Sequence, residues 1–165
     1  MLQIPEPDFT AILSVLVGQG VDFIVVGGVC AVLNGAPVNT FDLDVVHSRE
    51  ANNIGRLLAA LDVLDAFYRV HPERRLKPGI SHLISPGHQN LETCFGPLDL
   101  LGTIGHGLGY AELLDHSVEM EVAQGVRVRV LGLAKLIEVK EQLGGDKDKA
   151  VLPILKRALE ESTGR

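Results

Sequence analysis

Apolar residues recur every three to four positions in some stretches of the chain and at every second position in others, patterns typical of amphipathic helices and of strands. The helical spacing predicts helices over residues 8–17, 29–33, 49–61, 110–115 and 133–143, and a last helix from residue 146. The other pattern predicts strands over residues 21–26, 40–46, 90–95, 98–104, 117–123 and 126–131, with a further candidate strand over 81–85.

The order of these elements predicts the fold class. Strand, helix, strand and helix come first, hairpins follow, and two helices end the chain. This order favours an α/β (α+β) fold over a regularly alternating, doubly wound one. We expect a mixed, mainly antiparallel sheet that is flanked by helices, with the two C-terminal helices packed on it.

Composition indicates a folded globular protein. The chain has 165 residues, 46% of them apolar, and its mean hydropathy is positive, so we expect one domain over residues 1–165. No apolar run reaches the roughly 18 residues that span a bilayer. The first residues, MLQIPEPDF, lack the layout of a signal peptide. We expect a cytoplasmic protein, and its oligomeric state stays open.

Charge and cysteine content narrow the function classes. The net charge of −6 argues mildly against nonspecific binding to nucleic acid, although an RNA end could still dock in a local basic patch. One such patch covers residues 68–78, and it is either a solvated loop or a substrate-facing segment. Cys30 and Cys94 lie in apolar segments, which predicts two buried, reduced thiols.

The most informative alternation lies in the predicted strand over residues 40–46. On a strand, Asp42 and Asp44 project to one side, while Phe41, Leu43 and Val45 project to the other. Two adjacent carboxylates at the end of an apolar strand are costly, because each raises the pKa of the other and each loses solvation. A divalent cation removes that cost, and ligands that are all oxygen suit Mg²⁺ better than zinc.

Two glycines precede this strand and have a matching chemistry. The apolar strand over residues 21–26 ends on Gly27 and Gly28, directly before the predicted short helix. Glycines there let backbone N–H groups approach a phosphate, and a helix N-terminus adds a favourable dipole. A phosphate cradle beside a metal site indicates phosphoryl or nucleotidyl transfer.

The pair Gly27-Gly28, followed after residues 29–41 by Asp42-Leu43-Asp44, resembles the signature of the nucleotidyltransferase superfamily related to DNA polymerase beta. Within it, the chain is similar to small bacterial proteins, the minimal nucleotidyltransferases and the AbiEii-type toxins. That family carries a third carboxylate on a later strand. The segment over residues 95–101 is similar to that strand and makes Asp99 the candidate.

The resemblance also implies residues that bind the nucleotide. Thr40 matches a Thr or Ser of the family, and Lys140 and Lys147 match basic residues that reach the triphosphate. The alternative for the two lysines is that they are merely exposed charges. Many relatives have a basic residue near the position of Val38, where this chain has none. If that residue helps to hold the triphosphate, its absence argues against full catalytic activity.

The implied function is a metal-dependent nucleotidyltransferase that moves a nucleoside monophosphate from an NTP to an acceptor and releases pyrophosphate. Asp42 and Asp44 would hold two Mg²⁺ ions, or Mn²⁺, and Asp99 would complete one of them and assist as the base. The acceptor is open: a protein, a tRNA or a small molecule. The alternative is a catalytically degenerate binding module, such as an antitoxin or a partner-binding subunit. A dinucleotide-binding unit is disfavoured, because the glycines do not form G-x-G-x-x-G.

Overall fold

A seven-stranded mixed sheet lies at the centre of the computed structural model, which describes residues 6–163. The strands are β1 (Phe23–Val26), β2 (Leu43–His47), β3 (Phe67–Tyr68), β4 (His88–Thr93), β5 (Gly96–Leu101), β6 (Ser117–Ala123) and β7 (Val126–Leu131). The α-helices are α1 (Phe9–Gly18), α2 (Gly27–Leu33), α3 (Ala51–Val63), α4 (Ile80–Leu83), α5 (Tyr110–Leu114), α6 (Leu133–Leu143) and α7 (Asp146–Thr163), and a 3-10 turn covers Pro72–Arg74.

The strands follow one another in the order β3-β4-β5-β2-β1-β7-β6. Two hairpins, β4–β5 and β6–β7, form the flanks of the sheet, and β3 extends the first of them as an antiparallel edge strand. In the middle, β1 is antiparallel to β2, while β1 pairs with β7 and β2 pairs with β5 in parallel. The mixed, mainly antiparallel sheet expected from the sequence is therefore confirmed.

Helices bury their apolar faces against this sheet. All four residues of β1 are buried, as its continuous apolar sequence requires. The helices contribute their periodic apolar residues, among them Ile12, Leu13 and Leu16 of α1 and Ile54, Leu57 and Leu61 of α3. The last two helices, α6 and α7, pack against each other, and α6 also packs against α2. None of the described helices combines the length and apolar character that crossing a membrane demands.

Some predicted boundaries are wrong in an instructive way. The strand predicted over residues 40–46 begins only at Leu43, because Phe41 and Asp42 lie in a bend before it. The side chain of Phe41 is therefore 74% exposed and does not share the core-facing side with Leu43 and Val45. The candidate strand over residues 81–85 is instead the short helix α4.

The hairpin that carries Asp99 is also shifted from its predicted position. Its strands end at Thr93 and begin again at Gly96, so the turn falls on Cys94 and Phe95, not on Gly96-Pro97 between the two predicted strands. Cys94 is consequently exposed, which corrects the expectation of a buried thiol. Cys30 on α2 is buried, as expected.

A buried amide connects α3 to the ends of the central strands. Asn53 is 1% exposed, and its Oδ1 accepts a hydrogen bond from the Asp22 backbone N–H at 2.7 Å. Its Nδ2 donates to the backbone carbonyls of Asp22 at 3.1 Å and Ser48 at 2.8 Å. Backbone groups just before β1 and just after β2 are thus satisfied by one side chain.

We expect Asn53→Ala to lower the free energy of unfolding by about 2 kcal/mol, because it removes three hydrogen bonds and leaves the Asp22 N–H and the Ser48 carbonyl without this partner, while the Asp22 carbonyl keeps the Ser48 N–H. Urea unfolding followed by circular dichroism measures the change. Asn52→Ala is the matched control, since Asn52 lies beside it on α3 and is exposed. Equal losses in the two variants would show that the hydrogen bonds of Asn53 do not stabilise the fold.

Candidate active site

Three aspartates meet on one face of the sheet. Strands β2 and β5 are parallel neighbours, and their register pairs Asp44 directly with Asp99. Asp42 joins them from the bend before β2. One carboxylate oxygen of each residue lies within 4.8 Å of the others, with Asp42 the most exposed and Asp99 buried. The fold therefore brings together the three carboxylates that the sequence singled out.

The cluster is electrostatically strained without a cation. Burial raises the pKa of Asp44 to about 7, and a hydrogen bond with Asp99 and the negative charges of Asp99 and Asp42 add to the shift. Burial, followed by the charge of Asp99, also raises the pKa of Asp42. Clustered carboxylate oxygens without a cysteine or histidine in the set are the donors that a hard divalent cation prefers. The residues present thus fit such an ion.

The two glycines are required by close packing beside these carboxylates. A Cβ on Gly27, whose φ is +68°, would overlap Oδ2 of Asp44. A Cβ on Gly28 would stand 2.6 Å from Oγ1 of Thr40, and that hydroxyl donates to the Asp42 backbone carbonyl at 3.0 Å. The glycines therefore let α2 begin directly against the cluster, and Thr40 holds the bend that presents Asp42.

The two lysines lie on the side of the cluster formed by the C-terminal helices. Lys140 on α6 is half-buried, and its Nζ is 3.4 Å from Oδ1 of Asp148 on α7. Lys147, in the first turn of α7, is exposed. The positive charge of Lys140 acts to lower the pKa of Asp44, and that of Lys147 acts to lower the pKa of Asp42, although burial and the neighbouring carboxylates outweigh both effects. Both lysines are thus close enough to influence the carboxylates.

Arg69 is a member of the site that the sequence did not single out. It follows the two-residue strand β3, and its Nη2 donates to Oδ1 of Asp99 at 2.6 Å. Its Nη1 donates to the Leu91 carbonyl at 2.7 Å. The aromatic pair Phe67-Tyr68 was the available signal, since aromatic residues favour strands and this strand fixes the position of Arg69.

The rest of the basic patch over residues 68–78 has a different environment. Arg75 and Lys77 both pair with Asp65 on the surface, with all three side chains more than half exposed. The guanidinium of Arg75 also lies 4.2 Å from the centre of the Phe67 ring. Of the two interpretations of the patch, the solvated loop fits these residues, and only Arg69 reaches the carboxylates among the described contacts.

A mostly aliphatic cavity of about 260 Å³ adjoins the cluster. Its wall includes Gly27, Asp44, Leu101, Ile104, Leu136, Val139 and Lys140. The segment over residues 103–109 closes one side. Ile104 and Leu108 exchange backbone hydrogen bonds of 2.8 and 2.9 Å, which close this segment into a tied loop.

Comparison with known proteins identifies the fold. No protein-family model and no curated protein matches the chain. Among solved structures, it is similar to a "putative nucleotidyltransferase" from Thermotoga maritima, with a TM-score of 0.56 and 16% identity over 93% of this chain and 91% of the other. It is also similar to the lincosamide antibiotic adenylyltransferase LnuA with lincomycin bound, with a TM-score of 0.60 and 15% identity over 90% of this chain and 94% of the other. The chain therefore has the nucleotidyltransferase fold, while membership of the AbiEii-type subgroup stays a prediction.

We expect Asp44→Asn to stabilise the metal-free protein at alkaline pH. The pKa of Asp44 is about 7 in the folded state against an ordinary value of 3.8, so the folded protein holds this proton more tightly. Stability that depends on the protonated carboxyl is complete below about pH 4 and is lost as the pH rises through 7. Asparagine cannot ionise, so the free energy of unfolding of the variant relative to that of wild type should increase by about 2 kcal/mol from pH 5 to pH 8.

Urea unfolding in EDTA at the two pH values measures this gain. Asp62→Asn, at an exposed position on α3, is the control and should show no advantage that grows with pH. If wild type and Asp44→Asn lose stability in parallel between pH 5 and pH 8, Asp44 is not under electrostatic strain.

Gly27→Ala should impair cation binding, because the new Cβ displaces the carboxylate of Asp44. We expect Mn²⁺ affinity to fall about tenfold, the effect of misplacing one charged ligand. Gly35→Ala is the matched control: Gly35 also has a positive φ, +90°, but faces open space, so it tests backbone strain alone. Calorimetric titration with Mn²⁺ distinguishes them, and equal affinities in the two variants would contradict the packing argument.

Proposed function

We propose that this chain, which has the nucleotidyltransferase fold, transfers a nucleoside monophosphate from an NTP to an acceptor hydroxyl and releases pyrophosphate. The observation that carries the proposal is the convergence of Asp42, Asp44 and Asp99 beside the backbone of Gly27. A solvated strand end would not need its carboxylates paired in register across two buried strands. Fold similarity alone would not support the chemistry, because one fold hosts many functions.

The three aspartates would hold divalent cations, with Mg²⁺ as the expected ion and Mn²⁺ as a substitute. When bound, such an ion neutralises phosphate charge and lowers the pKa of a hydroxyl or water bound to it. The chain itself supplies the position of each ligand. Parallel pairing sets Asp44 beside Asp99, and the hydrogen bond from Thr40 fixes the bend of Asp42.

Positive and backbone groups around the cluster would bind the triphosphate. Lys140 on α6 and Lys147 on α7 place two positively charged side chains near the carboxylates, in a chain whose net charge is −6. Gly27 and Gly28 have no side chains of their own, so the start of α2 lies directly against Asp44 and Thr40, and phosphate oxygens held at the cluster could approach its backbone. We assign these four residues to nucleotide binding.

The aliphatic cavity beside Asp44 would hold the nucleoside. Gly27 and Lys140, which we assign to phosphate binding, form part of its wall. The nucleoside attached to the bound phosphates would therefore lie next to this cavity and could enter it. Aliphatic side chains such as Ile104 and Val139 offer flat apolar contact to a base. Asp99 is then left next to Arg69 with one free oxygen, Oδ2, since Oδ1 is bonded to Arg69. In each step Oδ2 would serve one purpose, either completing a metal ion or taking the proton of the acceptor hydroxyl.

The acceptor is proposed only as a class. LnuA is described as a lincosamide antibiotic adenylyltransferase, so a small molecule that carries a hydroxyl is the first acceptor to test, with ATP as the donor. An RNA end and a protein side chain are the remaining candidates. The aromatic ring of Phe41 is exposed and belongs to the same bend as Asp42, so an acceptor that reaches the carboxylates could contact it.

Calorimetry with ATP and Mg²⁺ tests the nucleotide site. Wild type should bind ATP only when the metal is present, and the double variant Asp42→Asn/Asp44→Asn should bind at least about tenfold more weakly, because it lacks two charged ligands. Asp62→Asn controls for the general loss of negative charge. ATP binding that is equal in the double variant, or absent from wild type, would contradict the proposal.

A screen with ATP labelled on the α-phosphate then separates the two functional classes. Label on a small molecule, RNA or protein identifies a transferase and its acceptor. Metal-dependent binding without transfer to any of the three classes would favour the degenerate binding module, in agreement with the missing basic residue near Val38.

A further inference from the structure

The guanidinium of Arg69 connects the carboxylate cluster to the neighbouring strand. The Arg69 backbone N–H donates to the Asn90 carbonyl at 3.1 Å, and Nη1 donates to the Leu91 carbonyl at 2.7 Å. Both partners belong to β4, which lies between β3 and β5. Nη2 is then directed to Oδ1 of Asp99 at 2.6 Å. The arginine is therefore held by the sheet at two points before it contacts the carboxylate.

Among the described residues, this ion pair belongs to the more buried ones, together with Lys140–Asp148 at 23% and 21% exposed. The side chains of Arg69 and Asp99 are 30% and 11% exposed, whereas those of the surface pair Arg75–Asp65 are 57% and 56% exposed. A short, charge-assisted hydrogen bond in a partly desolvated place holds its geometry more firmly than a surface pair. Within residues 6–163, Arg69 is also the one arginine or lysine in ion-pair contact with the cluster.

We propose that Arg69 is a positioning residue that fixes the rotamer of Asp99 and competes with the metal for the carboxylate cluster. A cation would bind the ionised form of the three carboxylates, and one guanidinium offsets one of their three negative charges. With Oδ1 committed to Arg69, Asp99 contributes a single oxygen, Oδ2, to a cation. Arg69 thereby weakens cation binding, and at the same time it fixes the orientation of the Asp99 carboxylate. The competition rests on the metal site of the proposed function, but not on the transfer reaction.

Lysine can reproduce only part of this arrangement. The planar guanidinium presents separate N–H groups to Leu91 and to Asp99 at once, whereas an ammonium is a single point charge on a flexible stem. Arg69→Lys therefore keeps the competing charge and loses the orientation. Arg69→Met removes both at similar length. The two variants separate the electrostatic effect from the positional one.

Mn²⁺ titration of the nucleotide-free protein, by calorimetry or by the electron paramagnetic resonance of free Mn²⁺, tests the competition. We expect Arg69→Met to bind Mn²⁺ roughly tenfold more tightly than wild type, because a positive charge a few ångströms from the ion is removed. Arg69→Lys should stay within about threefold of wild type, since its charge is retained. Arg74→Met, an exposed neighbour without a side-chain contact to the cluster, is the control and should match wild type.

The positional effect has its own readout in the transfer reaction. We expect kcat of Arg69→Met to fall about tenfold or more despite its tighter metal binding, and Arg69→Lys to recover only part of the loss. General damage to the fold would weaken Mn²⁺ binding, so tighter binding with slower transfer identifies the positioning role. Should Arg69→Met not fold, Arg69→Gln keeps a donor for Leu91 and tests the same loss of charge.

The outcomes separate this inference from the proposed function. Equal or weaker Mn²⁺ binding by Arg69→Met, with wild type binding normally, overturns the role of Arg69 and leaves the metal centre in place. Tighter binding by the variant supports the competition even if no acceptor is ever labelled. Absence of Mn²⁺ binding in both wild type and Arg69→Met overturns the metal centre and the inference together.

Discussion

Mutual repulsion among three carboxylates is the constraint on which the rest of this structure depends. Asp42, Asp44 and Asp99 each place a carboxylate oxygen within 4.8 Å of the others, and burial raises the pKa of Asp44 to about 7. Such an arrangement lowers stability at neutral pH, and it persists because buried strands enforce it: β2 and β5 are anchored by leucines and valines on the opposite face. Local strain of this kind is typical of functional sites, where the surrounding fold holds an unfavourable geometry.

The neighbouring residues can be understood as responses to that repulsion. Gly27 and Gly28 omit side chains where Asp44 and Thr40 need the space, and Arg69 places a guanidinium against Asp99. Lys140 is held beside Asp148 and adds a weaker positive field. None of these groups neutralises all three carboxylates. The remaining negative charge would attract a divalent cation, and that cation would bind the phosphates of the nucleotide. The packing of the site is in this way connected to the proposed transfer of a nucleoside monophosphate.

Much of this site could be predicted from sequence because its signals are local. Alternation around Asp42 and Asp44 and the glycine pair before them need only neighbouring residues, and family resemblance supplied Asp99. Arg69 could not be found in this way, since its role depends on β3 pairing with β4, whose partner residues Leu91 and Glu92 lie far along the chain from Phe67 and Tyr68. The exposure of Cys94 and Phe41 was missed for a related reason: an apolar segment does not reveal where its turn or bend falls. The element order predicted the mixed sheet, but not its register.

A crystal structure with Mn²⁺ and a non-hydrolysable ATP analogue would test the central claim most directly. Anomalous scattering locates manganese without reference to any acceptor. The metal-centre interpretation predicts a manganese peak within bonding distance of carboxylate oxygens from Asp42, Asp44 and Asp99, with the triphosphate bound to the same ion and the nucleoside in the cavity beside Asp44. Manganese at another place, or nucleotide bound away from the three carboxylates, would contradict it.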